Sequence, residues 1–308
     1  MEVLYTIEKE KFEQQIHKDY FICHKIMYCQ TWNQWHQNPT QAIAISLHKL
    51  KYTKENDTYR IEEPIPLSQI RWIDFNDLPG CTHILMSDSQ IQCPHVKKIL
   101  QKYIHCQDQV CILPLSFYED IKTKEQWNAE YKEGVGLQYK EHMDMFTPYG
   151  IKKEQIQWVR YFEDTQEEMK QKILASNILV LTGGAPDLYM KRIKECRLKK
   201  IIREYQGTII GYSAGAMIQL QDYHISPDEE YNQFSYQTGL GMIKEFDIEV
   251  HYQNTNIQNE SIQKVIEEKK KTVYAIEESG GILYQNKAIQ TIGHVIKYQK
   301  LQGNGQFR

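Results

Sequence analysis

The chain has little of what marks several common protein classes. Its 308 residues include seven cysteines, an odd number without a CxxC pair. Such usage indicates reduced, mostly buried thiols in a cytoplasm and argues against a disulfide framework. The eleven histidines form no HxH or HxxxH pair, which leaves a metal centre without support. We therefore expect neither a metal nor a cofactor.

Strong charge and long apolar runs are also missing. The formal net charge is only −3, so neither a nucleic acid nor an anionic membrane is predicted as a partner. No apolar run approaches the roughly 20 residues that a membrane span needs. The first residues soon become charged and lack the apolar core of a signal peptide. These absences predict a cytoplasmic protein without membrane contact.

A change in composition near Pro79-Gly80 predicts two parts. Residues 1–80 are rich in aromatic and polar side chains, with several segments typical of β-strands. We find no chemistry in them and interpret them as a small β-rich N-terminal appendage of unknown role. Residues 81–308 form the second predicted part, which carries all the candidate site residues.

Short apolar segments alternate with amphipathic ones throughout the second part. Ile178-Leu179-Val180-Leu181 is apolar at every position, as expected of a strand covered on both faces. Residues 94–104, 124–146 and 188–205 read as helices, the second of them as one long helix. This alternation predicts an α/β fold with a mostly parallel sheet and helices on both faces.

The residues Gly211-Tyr212-Ser213-Ala214-Gly215 form the most informative motif. They follow the apolar segment Thr208-Ile209-Ile210 and precede helix-forming residues. Gly-x-Ser-x-Gly between a strand and a helix is typical of a nucleophile elbow, a sharp turn that exposes the serine hydroxyl. Five letters match many sequences by chance, and a plain turn containing serine is the alternative interpretation.

Two other predicted strand ends carry residues that would complete a catalytic site. His251 directly follows Ile248-Glu249-Val250 and could act as the base that a serine nucleophile requires. Gly183-Gly184 follows the apolar strand at 178–181, and its amides could join that of Ala214 as an oxyanion hole. Because ligands bind beyond the carboxyl ends of parallel strands, we expect these groups to meet. The alternative interpretations are that His251 is an ordinary surface histidine and that Gly183-Gly184 forms only a tight turn.

The order and spacing of these motifs resemble the peptidase E and cyanophycinase family of serine peptidases. Residues 82–297 carry the resemblance, through Gly183-Gly184, the elbow, the segment 239–251 and the strand end 275–279. Ser213 and His251 are 38 residues apart. The resemblance implies a class I glutamine-amidotransferase-like fold. It also implies that Ser213 is the nucleophile, His251 the base and Gly183 or Gly184 an oxyanion donor.

The third catalytic residue is left open by the sequence. The resemblance places an acid shortly after the nucleophile helix, and Asp228, 15 residues after Ser213, fits that position best. Asp222, Glu229 and Glu230 lie in the same acidic segment, which would otherwise be a solvated loop.

The chain also departs from its presumed relatives at two positions of consequence. Amidotransferases of this fold use a cysteine at the elbow and a glutamate two residues after the histidine, where this chain has Ser213 and Gln253. Ammonia transfer is therefore not expected. Cyanophycinase-like members carry arginines shortly after the histidine, but residues 252–259 contain none. Specificity for an acidic substrate should not be transferred to this chain.

These observations predict a metal-independent serine hydrolase, a peptidase or dipeptidase that cleaves a small peptide or amide through a Ser-His-acid triad and an acyl-enzyme. The alternative is a catalytically inactive amidotransferase-like protein that binds a ligand or has a regulatory role. A lipase-like α/β hydrolase fits the order of motifs less well. A homodimer is a hypothesis that rests on the resemblance alone.

Overall fold

The computed structural model divides the chain into two compact units, Met1–Gly80 and Cys81–Arg308. It describes residues 82–205 and 207–300 throughout, and before residue 82 only the segments that form strands. No helix in these described parts is both long enough and apolar enough to cross a membrane.

The described segments of the first unit are nine short strands. They form a three-stranded sheet in the order β1-β8-β7, a four-stranded sheet in the order β2-β3-β6-β9 and the pair β4-β5. Every pairing among them is antiparallel. The strands are β1 (Tyr5–Glu8), β2 (Ile16–His17), β3 (Tyr20–Cys23), β4 (Met27–Cys29), β5 (Gln34–His36), β6 (Gln41–Ser46), β7 (Tyr52–Glu55), β8 (Thr58–Ile61) and β9 (Ile70–Asp74).

The second unit alternates strands with helices from its first residues. Its strands are β10 (Thr82–Met86), β11 (Val110–Leu113), β12 (Ile156–Trp158), β13 (Ile178–Leu181), β14 (Thr208–Tyr212), β15 (Asp222–Ile225), β16 (Ser235–Thr238), β17 (Phe246–Glu249), β18 (Thr272–Ile276), β19 (Gly281–Gln285), β20 (Ala288–Ile292) and β21 (Val295–Tyr298). Its helices are α1 (Pro94–Leu100), α2 (Lys124–Tyr131), α3 (Leu137–Phe146), α4 (Gln166–Leu174), α5 (Pro186–Glu195), α6 (Lys199–Arg203), α7 (Ala214–Met217) and α8 (Asn256–Lys269).

A seven-stranded sheet forms the centre of this unit, in the order β12-β11-β13-β14-β10-β19-β20. The first five strands of that order are parallel, and β19 and β20 close the sheet antiparallel. The carboxyl ends of β10, β13 and β14 therefore lie side by side at one edge. The prediction of a mostly parallel sheet is confirmed.

Both faces of this sheet are covered by helices, as predicted. Successive side chains of each strand point to opposite faces, so Leu179 and Leu181 join one buried cluster while Ile178 and Val180 join the other. Helices α4 to α7 contribute to the first cluster and α1 to α3 to the second. Burial on both faces is the physical reason that these strands are apolar at every position.

The predicted single helix at 124–146 was wrong, because the structure has two helices there. Helix α2 ends at Tyr131, and α3 begins after Gly136. Gly134 has a φ of 76°, in the left-handed region that favours glycine. A Cβ on Gly136 would lie 2.5 Å from the carbonyl oxygen of Glu130. The two glycines therefore permit a tight turn that the helical periodicity of the flanking residues conceals.

A second, smaller sheet carries the strand that precedes His251. In it β17 pairs parallel with β18, and β18 pairs antiparallel with β21. The hairpin β15-β16 is separate. Helix α8 packs on the small sheet through Ile262, Val265 and Ile266. His251 is thus attached to a different sheet from Ser213, and side-chain contacts must bring the two together.

Candidate active site

Ser213 occupies the sharp turn between β14 and α7. Its backbone has φ 50° and ψ −121°, an unfavourable conformation for a residue with a side chain. Its amide donates to the carbonyl oxygen of Met86 at 3.0 Å, which ties the turn to the carboxyl end of β10. Its carbonyl oxygen accepts from the amides of Ala216 and Met217. The geometry is that of the predicted elbow, a strained turn held on both sides by backbone hydrogen bonds.

The two glycines of the motif are required by close backbone contacts. A Cβ on Gly211 would lie 2.1 Å from the carbonyl oxygen of Gly215, and a Cβ on Gly215 would lie 1.9 Å from that of Leu181. Real Cβ atoms do not approach oxygen so closely. The Gln219 side chain supports the same turn, because its amide donates to the Gly215 carbonyl oxygen at 3.2 Å.

His251 is connected to the same strand end through Ser87. Met86 accepts the hydrogen bond from Ser213, and the next residue, Ser87, accepts one from the His251 amide at 2.9 Å through its Oγ. The Ser87 hydroxyl in turn donates to the carbonyl oxygen of Ile276 at 2.6 Å. These bonds join the large and small sheets and place Ser213 and His251 beside consecutive residues, Met86 at the end of β10 and Ser87 directly after it.

An acid that the sequence prediction missed lies against the His251 ring. Glu278 Oε2 is 2.7 Å from His251 Nδ1. Glu278 follows β18, the strand paired with the one that precedes His251. A carboxylate at Nδ1 keeps the proton on that nitrogen, which leaves Nε2 as the acceptor that a base needs. The only signal in the sequence was the position of Glu278 just past a strand end.

The acids expected between Ser213 and His251 have other partners. Asp228 Oδ1 accepts hydrogen bonds from the amides of Glu230 and Tyr231 at 2.8 and 2.7 Å, which stabilises the loop that contains Asp228. Glu230 accepts from the Tyr118 hydroxyl. Asp222 accepts from Gln221 and Thr238. In the described part of the chain, Glu278 is the carboxylate within 4 Å of His251, and none of these acids, nor Glu229, is.

Gly183, the first of the two predicted oxyanion residues, lies beside Ser213. A Cβ on Gly183 would lie 3.3 Å from the Cβ of Ser213. Gly184 has a φ of 131°, and a Cβ there would lie 2.4 Å from the Ser116 carbonyl oxygen. That oxygen accepts from the Ala185 amide at 2.8 Å, and the Ser116 hydroxyl donates to the Gly183 carbonyl oxygen. The turn is therefore held by hydrogen bonds to Ser116 and requires glycine at both positions.

Tyr212, next to the nucleophile, is held by a buried histidine. Its hydroxyl lies 2.7 Å from His142 Nε2, and His142 Nδ1 lies 2.6 Å from the carbonyl oxygen of Gln138. A carbonyl oxygen only accepts, so Nδ1 carries the proton and the Tyr212 hydroxyl donates to Nε2. Burial lowers the pKa of His142 and keeps the ring neutral. The Tyr212 ring also lies 2.8 Å from the Cβ position of Gly183.

We expect Tyr212→Phe to lower the free energy of unfolding by about 1–3 kcal/mol, because it leaves His142 Nε2 buried without a donor. Urea denaturation at pH 7 measures the effect. Tyr103→Phe is the matched control, since the Tyr103 hydroxyl has no hydrogen-bond partner among the described residues and should change stability by less than about 0.5 kcal/mol. Equal effects of the two variants would contradict the assigned hydrogen bond.

A buried ionic cluster lies under the strand that leads to His251. His224 Nδ1 is 3.0 Å from Asp247 Oδ2, and its Nε2 is 2.7 Å from Glu249 Oε2. The Ser226 hydroxyl also donates to Glu249, at 2.7 Å. Burial alone lowers the pKa of His224, but the two carboxylates outweigh it and raise that pKa well above its usual value. The ring is therefore a buried imidazolium that joins hairpin β15-β16 to β17.

Comparisons with known proteins identify a family for the chain. The sequence profile of peptidase family S51, the peptidase E family, matches residues 138–292, half of the chain. The chain is similar to a solved candidate peptidase E protein from Listeria monocytogenes EGD-e, with 18% identity and a TM-score of 0.49, over 68% of this chain and 97% of that one. It is also similar to a solved peptidase from an acI-B1 Actinobacterium, with 11% identity and a TM-score of 0.44, over 70% and 96% of the two chains. No curated protein is detectably similar.

Proposed function

The chain belongs to peptidase family S51 and is a serine peptidase, and on that premise we propose that Ser213, His251 and Glu278 form its catalytic triad, acting on a small peptide or amide. The observation that carries this proposal is the hydrogen bond between His251 Nδ1 and Glu278. It supplies the orienting acid that the alternative, a catalytically inactive protein, would not need. Asp228 is replaced by Glu278 in this role.

Each triad member has a defined task in the proposed reaction. Ser213 Oγ attacks the carbonyl carbon of the scissile amide while His251 Nε2 takes the hydroxyl proton. The negative oxygen that forms accepts hydrogen bonds from the Gly184 and Ala214 amides, with Gly183 shaping the turn. His251 then gives its proton to the leaving nitrogen as the C–N bond breaks. Water activated by His251 hydrolyses the resulting acyl-enzyme.

The strain at Ser213 supports the choice of nucleophile. A non-glycine residue at φ 50° costs of order 1–3 kcal/mol, and such strain persists where the surrounding structure enforces it. Here the close contacts of Gly211 and Gly215 and the three backbone hydrogen bonds of Ser213 enforce it. Glu278 is 60% exposed and the His251 side chain 42% exposed, so the ring is open to solvent as well as bonded to its acid.

A fluorophosphonate probe tests the proposal without knowledge of the substrate. We expect the wild-type chain to be phosphonylated at Ser213 and the Ser213→Ala variant to remain unlabelled, because only an activated serine reacts. Intact mass spectrometry and peptide mapping identify the site. Ser226→Ala is the matched control, a hydroxyl outside the proposed triad, and should be labelled as the wild type is. Equal labelling of wild type and Ser213→Ala would overturn the proposal.

A further inference from the structure

A cleft at the carboxyl edge of the large sheet has the features of a ligand site away from the nucleophile. Its volume is about 470 Å³, and aromatic and aliphatic side chains line it around Arg192. Small-molecule sites usually have volumes of roughly 300–1,000 Å³. We propose that this cleft binds a carboxylate that carries an apolar group. Such a carboxylate has two sources, the C-terminal residue of a peptide and a free carboxylic acid.

The cleft lies at the ends of β11 and β12. Arg192 of α5 donates through Nη1 to the carbonyl oxygens of Leu115 and Phe117, which follow β11. Tyr161 and Phe162, which follow β12, line the cleft as well. In the sheet, β13 separates β11 from β14, the strand that ends at the elbow. Because neighbouring strands are about 4.8 Å apart, the cleft begins roughly 10 Å from the nucleophile. A ligand there would lie at the edge where α/β sheets bind ligands without occupying the elbow.

Arg192 is a buried cation without a counter-ion among the described residues. Only 8% of it is exposed, and no carboxylate of those residues lies within 4 Å of its guanidinium. The buried carboxylates Asp247 and Glu249, by contrast, have His224 as their counter-ion. Burial lowers the pKa of Arg192, but a guanidinium stays charged at neutral pH. A buried charge without a partner is costly, so an anion bound in the cleft would stabilise it.

The free donors of Arg192 have the geometry that a carboxylate requires. Nη1 makes both of its hydrogen bonds with main-chain carbonyl oxygens. Nε and Nη2 have no hydrogen-bond partner in the described part of the chain, and neither is among the buried atoms that lack one, so both reach solvent. Because Arg192 lines the cleft, the cleft is where they reach it. Nε–H and Nη2–H lie side by side and can donate two parallel hydrogen bonds to the two oxygens of one carboxylate.

Aromatic rings next to Arg192 supply the apolar part of the cleft. The guanidinium carbon lies 3.4 Å from the centre of the Phe117 ring, a cation–π contact that holds the guanidinium in place. The Phe117 ring contacts those of Tyr161 and Phe162, whose own centroids are 5.0 Å apart. Phe162 is 36% exposed, and Leu188 also lines the cleft. An apolar group next to the carboxylate would cover this exposed surface, which favours binding.

The remaining charged side chains of the lining are exposed. Lys122 and Lys191 contribute two cations, and Glu119 and Glu195 contribute two carboxylates. These four charges cancel and are screened by water, so Arg192 gives the lining a net positive charge. The charges therefore favour an anion over a cation as the ligand.

Isothermal titration calorimetry of the full-length chain with four small compounds tests the cleft and separates the two sources. N-acetyl-phenylalanine has the carboxylate, the ring and a peptide group. N-acetyl-phenylalaninamide lacks the charge, N-acetylglycine lacks the ring, and 3-phenylpropionate lacks the peptide group. We expect N-acetyl-phenylalanine to bind about tenfold more tightly than its amide, because the amide loses the charge-assisted bidentate pair. It should bind about fivefold more tightly than N-acetylglycine, which buries no ring. The tighter of the two phenyl acids identifies the source, and equal affinities would mean that both sources fit.

Two variants locate the binding. Arg192→Gln removes the charge but keeps an amide that can donate to the main-chain carbonyls, and it should lower the acid-to-amide affinity ratio from about tenfold to below about twofold. Arg203→Gln, the same change at an exposed position on α6, should leave that ratio unchanged. Phe162→Ala should weaken the binding of N-acetyl-phenylalanine about threefold and leave that of N-acetylglycine unchanged. Leu174→Ala, at another exposed apolar position, should change neither.

Equal binding of N-acetyl-phenylalanine and its amide, or no binding of either, overturns the proposal. So does a preference for the acid that persists in an Arg192→Gln chain whose circular dichroism matches the wild type, because the carboxylate would then bind elsewhere. Phe162 is exposed, so Phe162→Ala tests the cleft in a folded chain if Arg192→Gln does not fold. An unchanged affinity of Phe162→Ala for N-acetyl-phenylalanine likewise overturns the proposal. None of these results bears on the triad, since the fluorophosphonate probe reports on Ser213 alone.

Discussion

Glu278→Gln is expected to slow phosphonylation of Ser213 by roughly 10²- to 10⁴-fold, because a neutral amide at Nδ1 no longer holds the proton there. The upper figure is what the corresponding substitution costs in the Ser-His-Asp template. Because Glu278 is exposed, water can take over part of its hydrogen bonding to His251, and the lower figure of the range allows for that. The measurement is the second-order rate constant with the fluorophosphonate probe at pH 7.5.

The neighbouring residue provides the matched control for this substitution. Glu277→Gln makes the same chemical change one position earlier, where the carboxylate lies 3.8 Å from His294. Its rate should stay within about twofold of the wild type. If Asp228→Asn lowered the rate more than Glu278→Gln, the triad would have to be reassigned to Asp228, as the position of that residue in the sequence suggested.

His224→Asn should lower the free energy of unfolding by about 3–5 kcal/mol, because it leaves Asp247 and Glu249 buried without their cation. That is a large part of the 5–15 kcal/mol that usually stabilises a protein. Ser226→Ala removes only one hydrogen bond to Glu249 and should cost about 1 kcal/mol. Urea denaturation of the three proteins at pH 6.5 gives the comparison. Equal effects of the two substitutions would contradict a charged His224.

The same cluster predicts how stability depends on pH. The folded-state pKa of His224 is raised from 6.5 to about 10, so the folded chain retains a proton that the unfolded chain loses. The stabilisation is complete below pH 6.5 and declines as the pH rises towards 10. The difference in unfolding free energy between wild type and His224→Asn should therefore shrink over that interval. A constant difference from pH 6.5 to 10 would show that the ring is not charged.

Patterns of short range account for most of what could be predicted. The elbow could be recognised because Gly211 and Gly215 are required by contacts with residues close in the chain and with one neighbouring strand. The parallel sheet could be predicted because strands buried on both faces are apolar throughout. The split of residues 124–146 into α2 and α3 was missed because helical periodicity continues across the glycines at 134 and 136.

The amino-acid sequence by itself predicted the α/β architecture and singled out Ser213, His251 and the Gly183-Gly184 turn as candidates for the proposed site, since each has a local signature in residue type and spacing. Only the tertiary structure decided which acid meets His251. Glu278 lies 27 residues along the chain from His251, and nothing near it in sequence distinguishes it from Glu277. The pairing of β17 with β18 brings their ends together. Such non-local pairing cannot be predicted from the spacing of residues along the chain.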